Sequence, residues 1–493
     1  MQTDVFKGFM SILGSKFVTL LLGLLITPLL VRLLGSRLYG QYAFILSLLG
    51  ITMILVKAGI FDGTRKYMAE DREQTRWPEC VFGFYLRAAT LLAIIAATGY
   101  IVFAVLGLSG QFFEDGFTRY FYLLAGLIVV RQANSLVRGG LMGLGLEELS
   151  EPLGVLRKIL FGCVGLSLAY VGYGVFGVLV GHIIASLIIS TFAFVMLFRH
   201  LNIRAVFQQV PAGFPKRELL SFNGLSVVLI LLTASLYHVD ILLLQPMVGS
   251  QATGYYRAAL VIAEFLWFVP NALQTVFLHS SSELWSKGET GRVTSLASRA
   301  TRYNLSLTLL LALGIAALAP DFVPLYFGSD FDSSIRSLLL LLPGALGFAL
   351  ARPIFAIGQG KGELRVLIIA TGVAALINLL LNLSLIPHYG MAGAAVATST
   401  GYGSMILFHV WAARRIGFDP INDIRLVRIA VVAVLTALLI FGITTLIRSS
   451  IVSLLVVPPV GFVVYYLLSI KLGVLSDEDI YEIKNRLPVP SHG

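Results

Sequence analysis

The stretch GSRLYGQY at residues 35–42 returns as GSQATGYY at residues 249–256, and both fit G-S-x-x-x-G-x-Y in register across 214 positions. Two unrelated domains would not share a turn in this way. Further echoes keep nearly the same offset. Arg138 and Arg352 are 214 apart, and YGVFG (173–177) matches YGMAG (389–393) at 216. Together they predict two similar lobes in one chain.

Composition places the repeat in a bilayer. Of 493 residues, 57% are hydrophobic and 13% charged, with a mean hydropathy of +0.88, whereas about a quarter of the residues in soluble domains are charged. The two cysteines, Cys80 and Cys163, build neither a disulfide framework nor a metal site. A spanning helix needs about 20 apolar residues. Fourteen such stretches can be read, from 9–34 and 39–62 at one end to 428–447 and 451–471 at the other. The first is too long for the apolar core of a signal peptide and reads as a membrane helix.

Loop charge tests the count. With a cytoplasmic N-terminus, the cytoplasmic segments receive Arg65, Lys66, Arg72, Arg76, Arg157, Lys158, Arg199 and Arg204 in the first half alone, while the opposite loops keep little beyond Arg37 and Arg448. A miscounted span would reverse this asymmetry beyond it, and no reversal occurs. The expected placement is a multi-pass protein of the plasma (cytoplasmic or inner) membrane with both termini cytoplasmic. The net charge of +10 is then a topology signal, and nucleic acid is not expected as a partner.

The expected fold class is all-α, polytopic, with about 14 transmembrane helices. Two six-helix lobes in pseudo-two-fold repeat occupy 1–200 and 215–415, followed by two appended helices in 428–471 and a cytoplasmic tail, 472–493. Both G-S-x-x-x-G-x-Y turns fall between the first two helices of a lobe. Their glycines suit close packing or left-handed turns, and their tyrosines suit the headgroup level. Parallel repeats of this kind place a substrate path at the lobe interface.

Candidate functional residues are those a bilayer disfavours, because an ionisable side chain inside a span faces a cavity, a partner or the interface. The set is uneven: Lys16, Arg32, Lys57, Arg87, Arg131, Arg138, Arg257 and Arg352 against Asp240 and Glu264. Several of these cations lie within reach of a helix end and can snorkel to the headgroups. Arg131 cannot, because it falls near the middle of span 117–143. With Asn134, Ser135 and Arg138 it forms one polar stripe at i, i+3, i+4 and i+7. Similar stripes hold Asn223, Tyr237 and Asp240 on span 221–246, Arg257, Glu264 and Asn271 on span 254–282, and Asn378 and Asn382 on span 365–386. Such stripes either line a wet cavity or join helices to one another.

A cationic cavity selects an anion. Guanidinium groups grip phosphate through charge-assisted bidentate bonds, and neighbouring Asn, Ser, Thr and Tyr suit hydroxylated groups such as sugars. A lipid-linked phosphate or pyrophosphate bearing a glycan meets both demands, although composition does not separate it from an anionic metabolite. Asp240 and Glu264 are the candidates for coupling to protons or sodium. No cofactor is expected. GQGKGE (358–363) lacks the spacing of a phosphate-binding loop.

The segments PLLVRLLGSRLYGQYAFILSLLGI (28–51) and GIFDGTRKYMAED (59–71) resemble the polysaccharide transporter branch, the Wzx-like flippases of lipid-linked oligosaccharides. The two-lobe plan is similar to the wider multidrug/oligosaccharidyl-lipid/polysaccharide exporter superfamily. The resemblance implies a V-shaped alternating-access transporter that is not an enzyme. Its cavity would be lined by the first two helices of each lobe, and its substrate would be a polyprenyl-linked glycan for surface polysaccharide assembly. It also implies a cavity role for Lys16, Arg32, Lys57 and Arg257. Where lipid II flippases carry an arginine-rich first helix, this chain has Lys16 and Arg32. Membrane lipids and glycan-assembly enzymes are the expected partners, although no loop carries a binding motif for the latter. Two alternatives stand beside this reading. One is a multidrug or organic-ion antiporter on the same fold. The other is a membrane glycan polymerase or ligase, whose acids would have to come from a loop such as 319–335 with Asp321, Asp330 and Asp332.

Overall fold

The computed structural model describes the backbone of residues 2–114, 116–222 and 224–475, and their side chains apart from 2–13, 16, 275 and 279. The Lys16 side chain, Asn223 and the tail from 476 onward therefore lie outside the described residues. Among the described residues every regular element is helical. The order is α1 (Gln2–Lys57), α2 (Ile60–Met68), α3 (Trp77–Val105), α4 (Leu108–Phe112), α5 (Phe117–Gly143), α6 (Glu147–Leu168), α7 (Gly174–Leu197), α8 (Ile203–Phe207), α9 (Lys216–Ser221) and α10 (Gly224–Val248). Then follow α11 (Ser250–Ala263), α12 (Phe268–Ser286), α13 (Thr290–Phe327), α14 (Ser334–Gly360), α15 (Leu364–Ile416), α16 (Leu426–Leu446) and α17 (Ser450–Lys471).

Hydrocarbon offers no hydrogen-bond partner, so apolar runs of this length must satisfy their own backbone groups as helices. The described residues contain 11 stretches long and apolar enough to cross a bilayer. The protein is a multi-pass membrane protein of all-α class. Three of these stretches are broken where the sequence predicts a loop. α1 breaks at Gly35 (φ 67), the 147–197 stretch at Gly172 (φ 98), and α15 at Gly390 (φ 54). α6 packs against α7, so the second of these folds back on itself. α15 does the same, since Asn378 Nδ2 bonds the Thr398 hydroxyl at 3.3 Å and Thr371 meets His409 at 3.4 Å. The expected loop 319–335 is helical through Phe327, which leaves only a short connection for its acids.

The chain forms two compact units, one comprising Met1–Arg257 with Ile386–Met391 and the other the remainder. In the first, α5 packs between α3 and α7 and also contacts α2, while α1 contacts α6 and α10. Val81, Phe82, Leu136, Val137, Ala193 and Leu197 are buried members of an apolar core cluster in it. In the second, α14 packs on α12 and α13, and the α16–α17 pair packs on α13. The outer faces of α16 and α17 expose large apolar side chains such as Val427, Leu438, Leu446 and Leu455, as expected for surface turned to lipid.

The two repeated turns meet inside the first unit. Gly35 and Gly249 both take positive φ, 67° and 108°, which a β-carbon would strain. Five residues on, each second glycine presses on the backbone of the other copy. A Cβ at Gly40 would stand 1.8 Å from the Ser250 carbonyl oxygen, and one at Gly254 would stand 1.9 Å from that of Ser36. The tyrosines that close the motif are buried inside the protein rather than presented at its surface. Tyr42 is buried against His182 at 2.8 Å, and Tyr256 is fully buried and donates to Asp240. Their hydroxyls found partners inside the protein, which satisfies an aromatic polar tip as well as a headgroup would.

Because one contact serves both glycines, Gly40→Ala and Gly254→Ala should each destabilise the protein by about 1–3 kcal/mol through overpacking. The double variant should lose less than the sum. Chemical or thermal unfolding in detergent checks this, and strict additivity would show that the two glycines do not share an interface.

Candidate functional site

The first unit encloses a cavity of about 630 Å³ whose polar wall is Lys57, Arg131, Asn134, Ser135, Arg138, Arg157 and Ser226, with Asp62 the acid among them. Leu49, Met53, Ile54 and Ile230 complete it. The α5 stripe faces this space because its members share one side of a helix. Lys57 reaches it because α1 ends there. Ala58 (φ 42) and Gly59 (φ 77) interrupt the helix, and Asp62 enters from α2.

The cations are held differently. Arg138 donates to Glu151 and to the Ser150 carbonyl, both at 3.2 Å, so α6 partly neutralises it. Arg131 donates through Nη2 to His182 Nδ1 at 3.4 Å, while its Nε is buried without a hydrogen-bond partner. Arg157, which loop-charge counting places in a cytoplasmic segment, sits half-buried on α6 in the cavity wall. Gathered in one partly enclosed cavity, these cations are less screened than they would be in open water.

The other sequence candidates lie elsewhere. Exposed Arg87 donates to the carbonyls of Val206, Phe207 and Gln208. Arg32 and Asn271 are exposed, and Tyr237 and Arg257 are half-buried. Asp240 is fully buried and accepts from Tyr256 and the Ile241 amide. In the second unit, Arg352 stacks on Phe348 at 4.5 Å and meets Gln274 at 3.4 Å, while Glu264 opens a tight 3₁₀ turn between α11 and α12. Asn378 and Asn382 are fully buried inside α15, where Asn382 donates to the Asn378 carbonyl at 2.9 Å. Asn378 joins the two halves of that hairpin through Thr398 while Asn382 caps a carbonyl of its own half, and neither lines the 630 Å³ cavity. Among the described residues no cluster of His, Cys, Asp and Glu is arranged to hold a metal ion.

Glu114, absent from the sequence candidates, closes one end of this unit. From the loop before α5 its carboxylate accepts from Arg37 Nε at 3.0 Å and Gln41 Nε2 at 3.2 Å in one repeat turn, and from the Ser250 amide at 3.2 Å in the other. Lys57 lies 15 residues beyond Tyr42 on α1, about 22 Å along a helix, so the cavity sits toward the opposite end.

A family profile described as polysaccharide biosynthesis protein matches residues 5–275, more than half the chain. The chain belongs to that family. The resemblance carried by residues 28–51 and 59–71 thus holds at family level. Within the polysaccharide biosynthesis family and beyond, two proteins of Haloferax volcanii are similar over most of their length. One, described as a probable low-salt glycan biosynthesis flippase, is 24% identical over 77% of each chain. The other, described as the probable flippase AglR, is 24% identical over 81% of each. An uncharacterized membrane protein of Methanocaldococcus jannaschii is 26% identical over 48% of this chain, which spans about half (46%) of that relative's length. In fold, the chain is similar to the lipid II flippase MurJ in an inward closed conformation, with a TM-score of 0.74 at 15% identity, covering 96% of this chain and 99% of that one. An inward-facing multidrug resistance MATE family transporter follows at 0.67 and 16%, covering 81% and 94%.

Partial burial works against a charge on Glu114, but its bonds to Ser250 and Arg37 prevail and hold the carboxyl below its ordinary pKa. A folded-state pKa below the unfolded one gives stability that is complete above the ordinary carboxylate range and is lost as pH falls through the lowered value. The advantage of wild type over Glu114→Gln in thermal unfolding should therefore be present at neutral pH and disappear in acid. An advantage independent of pH would show that charge is not what Glu114 contributes.

Proposed function

We propose that the protein is a flippase that carries a polyprenyl-phosphate- or pyrophosphate-linked oligosaccharide from the cytoplasmic to the outer leaflet by alternating access, for surface polysaccharide or glycan assembly. The observation that carries this reading is the cavity walled by Lys57, Arg131, Arg138 and Arg157 against Asp62 alone. A basic pocket at membrane depth is costly unless it meets an anion there, and phosphate is the anion that guanidinium groups hold best. The glycan flippases among its relatives support the same substrate class. Organic cations would call for interior carboxylates instead, and no covalent step is needed, so the protein acts as a transporter and not as an enzyme.

In this reading the three glycine-broken stretches cross the membrane twice each, the chain has fourteen crossings, and lobes 1–200 and 215–415 rock about the substrate. The positive-inside asymmetry supports cytoplasmic termini, and in this reading the membrane is the plasma membrane. The end held by Glu114 is then the outer end, closed here, and the cavity awaits a headgroup from the cytoplasm while the lipid tail stays in the bilayer. Net export needs an energy source. Asp240 and Glu264, the acids well inside the spans, are the proposed sites of proton or sodium coupling.

Sidedness of the lipid-linked glycan in proteoliposomes tests the assignment. Arg131→Ala and Arg157→Ala should each weaken substrate binding about tenfold or more, the loss of a charge-assisted contact worth about 1.5–3 kcal/mol, and slow flipping accordingly. Arg87→Ala should leave it unchanged. No flipping by wild type, given a matched glycan and an imposed ion gradient, would defeat the proposal. If Asp240→Asn and Glu264→Gln leave the gradient dependence of flipping intact, the coupling assignment is wrong while the flippase assignment stands.

A further inference from the structure

His182, on α7, takes no part in the mechanism above, yet both of its ring nitrogens are engaged. Nδ1 faces Arg131 Nη2 at 3.4 Å and Nε2 faces the Tyr42 hydroxyl at 2.8 Å. The ring is buried, stacked face to face on Phe161 with centroids 3.7 Å and planes 7° apart, and parallel to Tyr42 at 6.0 Å. It has no room to turn. A guanidinium has donors and no acceptor, so Nδ1 must present its lone pair to Arg131. That places the ring proton on Nε2, where it is donated to Tyr42. The imidazole is therefore neutral in this arrangement, and its tautomer follows from its partners.

Arg131 stands at the junction of this network and the cavity, since it lines the cavity wall beside Asn134 and Arg138 and is tethered at the back by His182. A proton added to His182 can enter only at Nδ1. It replaces the acceptor with a donor and sets a second positive charge against the guanidinium. The charged and titratable groups around the ring are Tyr42 from α1, Arg131 from α5 and Arg157 from α6. No carboxylate is among them to offset the charge. What can offset it is an anion in the cavity.

We propose that His182 is a positioning residue of the anion site, which holds Arg131 back when neutral and releases its guanidinium toward a bound phosphate when protonated. This rests on the phosphate-binding reading of the cavity and adds to it that proton and substrate bind cooperatively. By linkage the effect is reciprocal. Phosphate in the cavity raises the proton affinity of His182, and protonation of His182 tightens phosphate binding by the same factor.

The test uses the full chain in detergent or nanodiscs and a short-chain probe, farnesyl-pyrophosphoryl-N-acetylglucosamine, whose pyrophosphate diester keeps its charge between pH 5.5 and 8. Wild type should bind the probe about fivefold or more tightly at pH 5.5 than at pH 8, within the usual range of coupling factors. His182→Gln, which stays neutral, should flatten that profile while retaining binding. In an Arg131→Ala background His182→Gln should change nothing further. A second measurement needs no variant: calorimetry in buffers of different ionisation enthalpy should show wild type taking up protons as the probe binds near neutral pH. A flat wild-type profile without proton uptake overturns the proposal, as does a profile that survives His182→Gln. If wild type binds no probe at any pH, the phosphate reading of the cavity fails, and the role of His182 fails with it.

Discussion

Ser36 and Ser250 each present a carbonyl oxygen at the place where a Cβ on Gly254 or Gly40 would stand. Helices in lipid gain little from apolar contact, since the tails around them are as apolar as they are, and close backbone approach is what draws them together. Here that approach is reciprocal, and Glu114 ties the same two turns by accepting from both. The rest of the first unit follows from this contact. It brings the start of α11 onto α1 and fixes where α10 ends. It also leaves the cavity at the far end of the same helices.

The cavity is shaped by interruptions. The second span of α1 would run on to about residue 62, as its hydropathy suggests, but Ala58 and Gly59 turn it off axis and place Lys57 and Asp62 on opposite sides of the break. Arg138 is drawn aside by Glu151, which leaves Arg131 and Arg157 as the guanidiniums not matched by a carboxylate within hydrogen-bonding distance in the wall. Arg131 is held from behind by His182.

What could be read from the sequence was whatever is local or periodic. The α5 stripe of Arg131, Asn134, Ser135 and Arg138 lines the cavity as its spacing requires, because helical phase is fixed by the backbone alone. The breaks at Gly35, Gly172 and Gly390 fall where short loops were expected, since a polar or glycine-rich interruption of an apolar run is visible without a partner. Arg157 was hidden for the opposite reason. It stands one turn inside an apolar run, where loop charge and span charge look alike. Glu114 and His182 act through residues 51 to 140 positions away, and no short window of sequence contains both members of such a pair. Asn378 and Asn382 show the limit of the stripe argument itself. Asparagine at helical spacing satisfies a hairpin partner, as Asn378 does, or a carbonyl of its own helix, as Asn382 does, as readily as a ligand, and only the packing of α15 distinguishes these.

The tyrosines show what an internal repeat preserves and what it leaves open. Gly35 and Gly249, and Gly40 and Gly254, do the same work in both copies because backbone geometry admits nothing else there. Tyr42 and Tyr256 are equally buried, yet one meets His182 and the other Asp240. A phenol hydroxyl both accepts and donates. The same side chain can therefore accept the Nε2 proton of an imidazole in one copy of the repeat and donate to a carboxylate in the other without any change in the surrounding helices. A repeat built this way keeps its shape while its titratable partners differ. The base comes to stand behind Arg131, and the acid lies buried on α10, so two equivalent positions carry opposite proton chemistry on one scaffold.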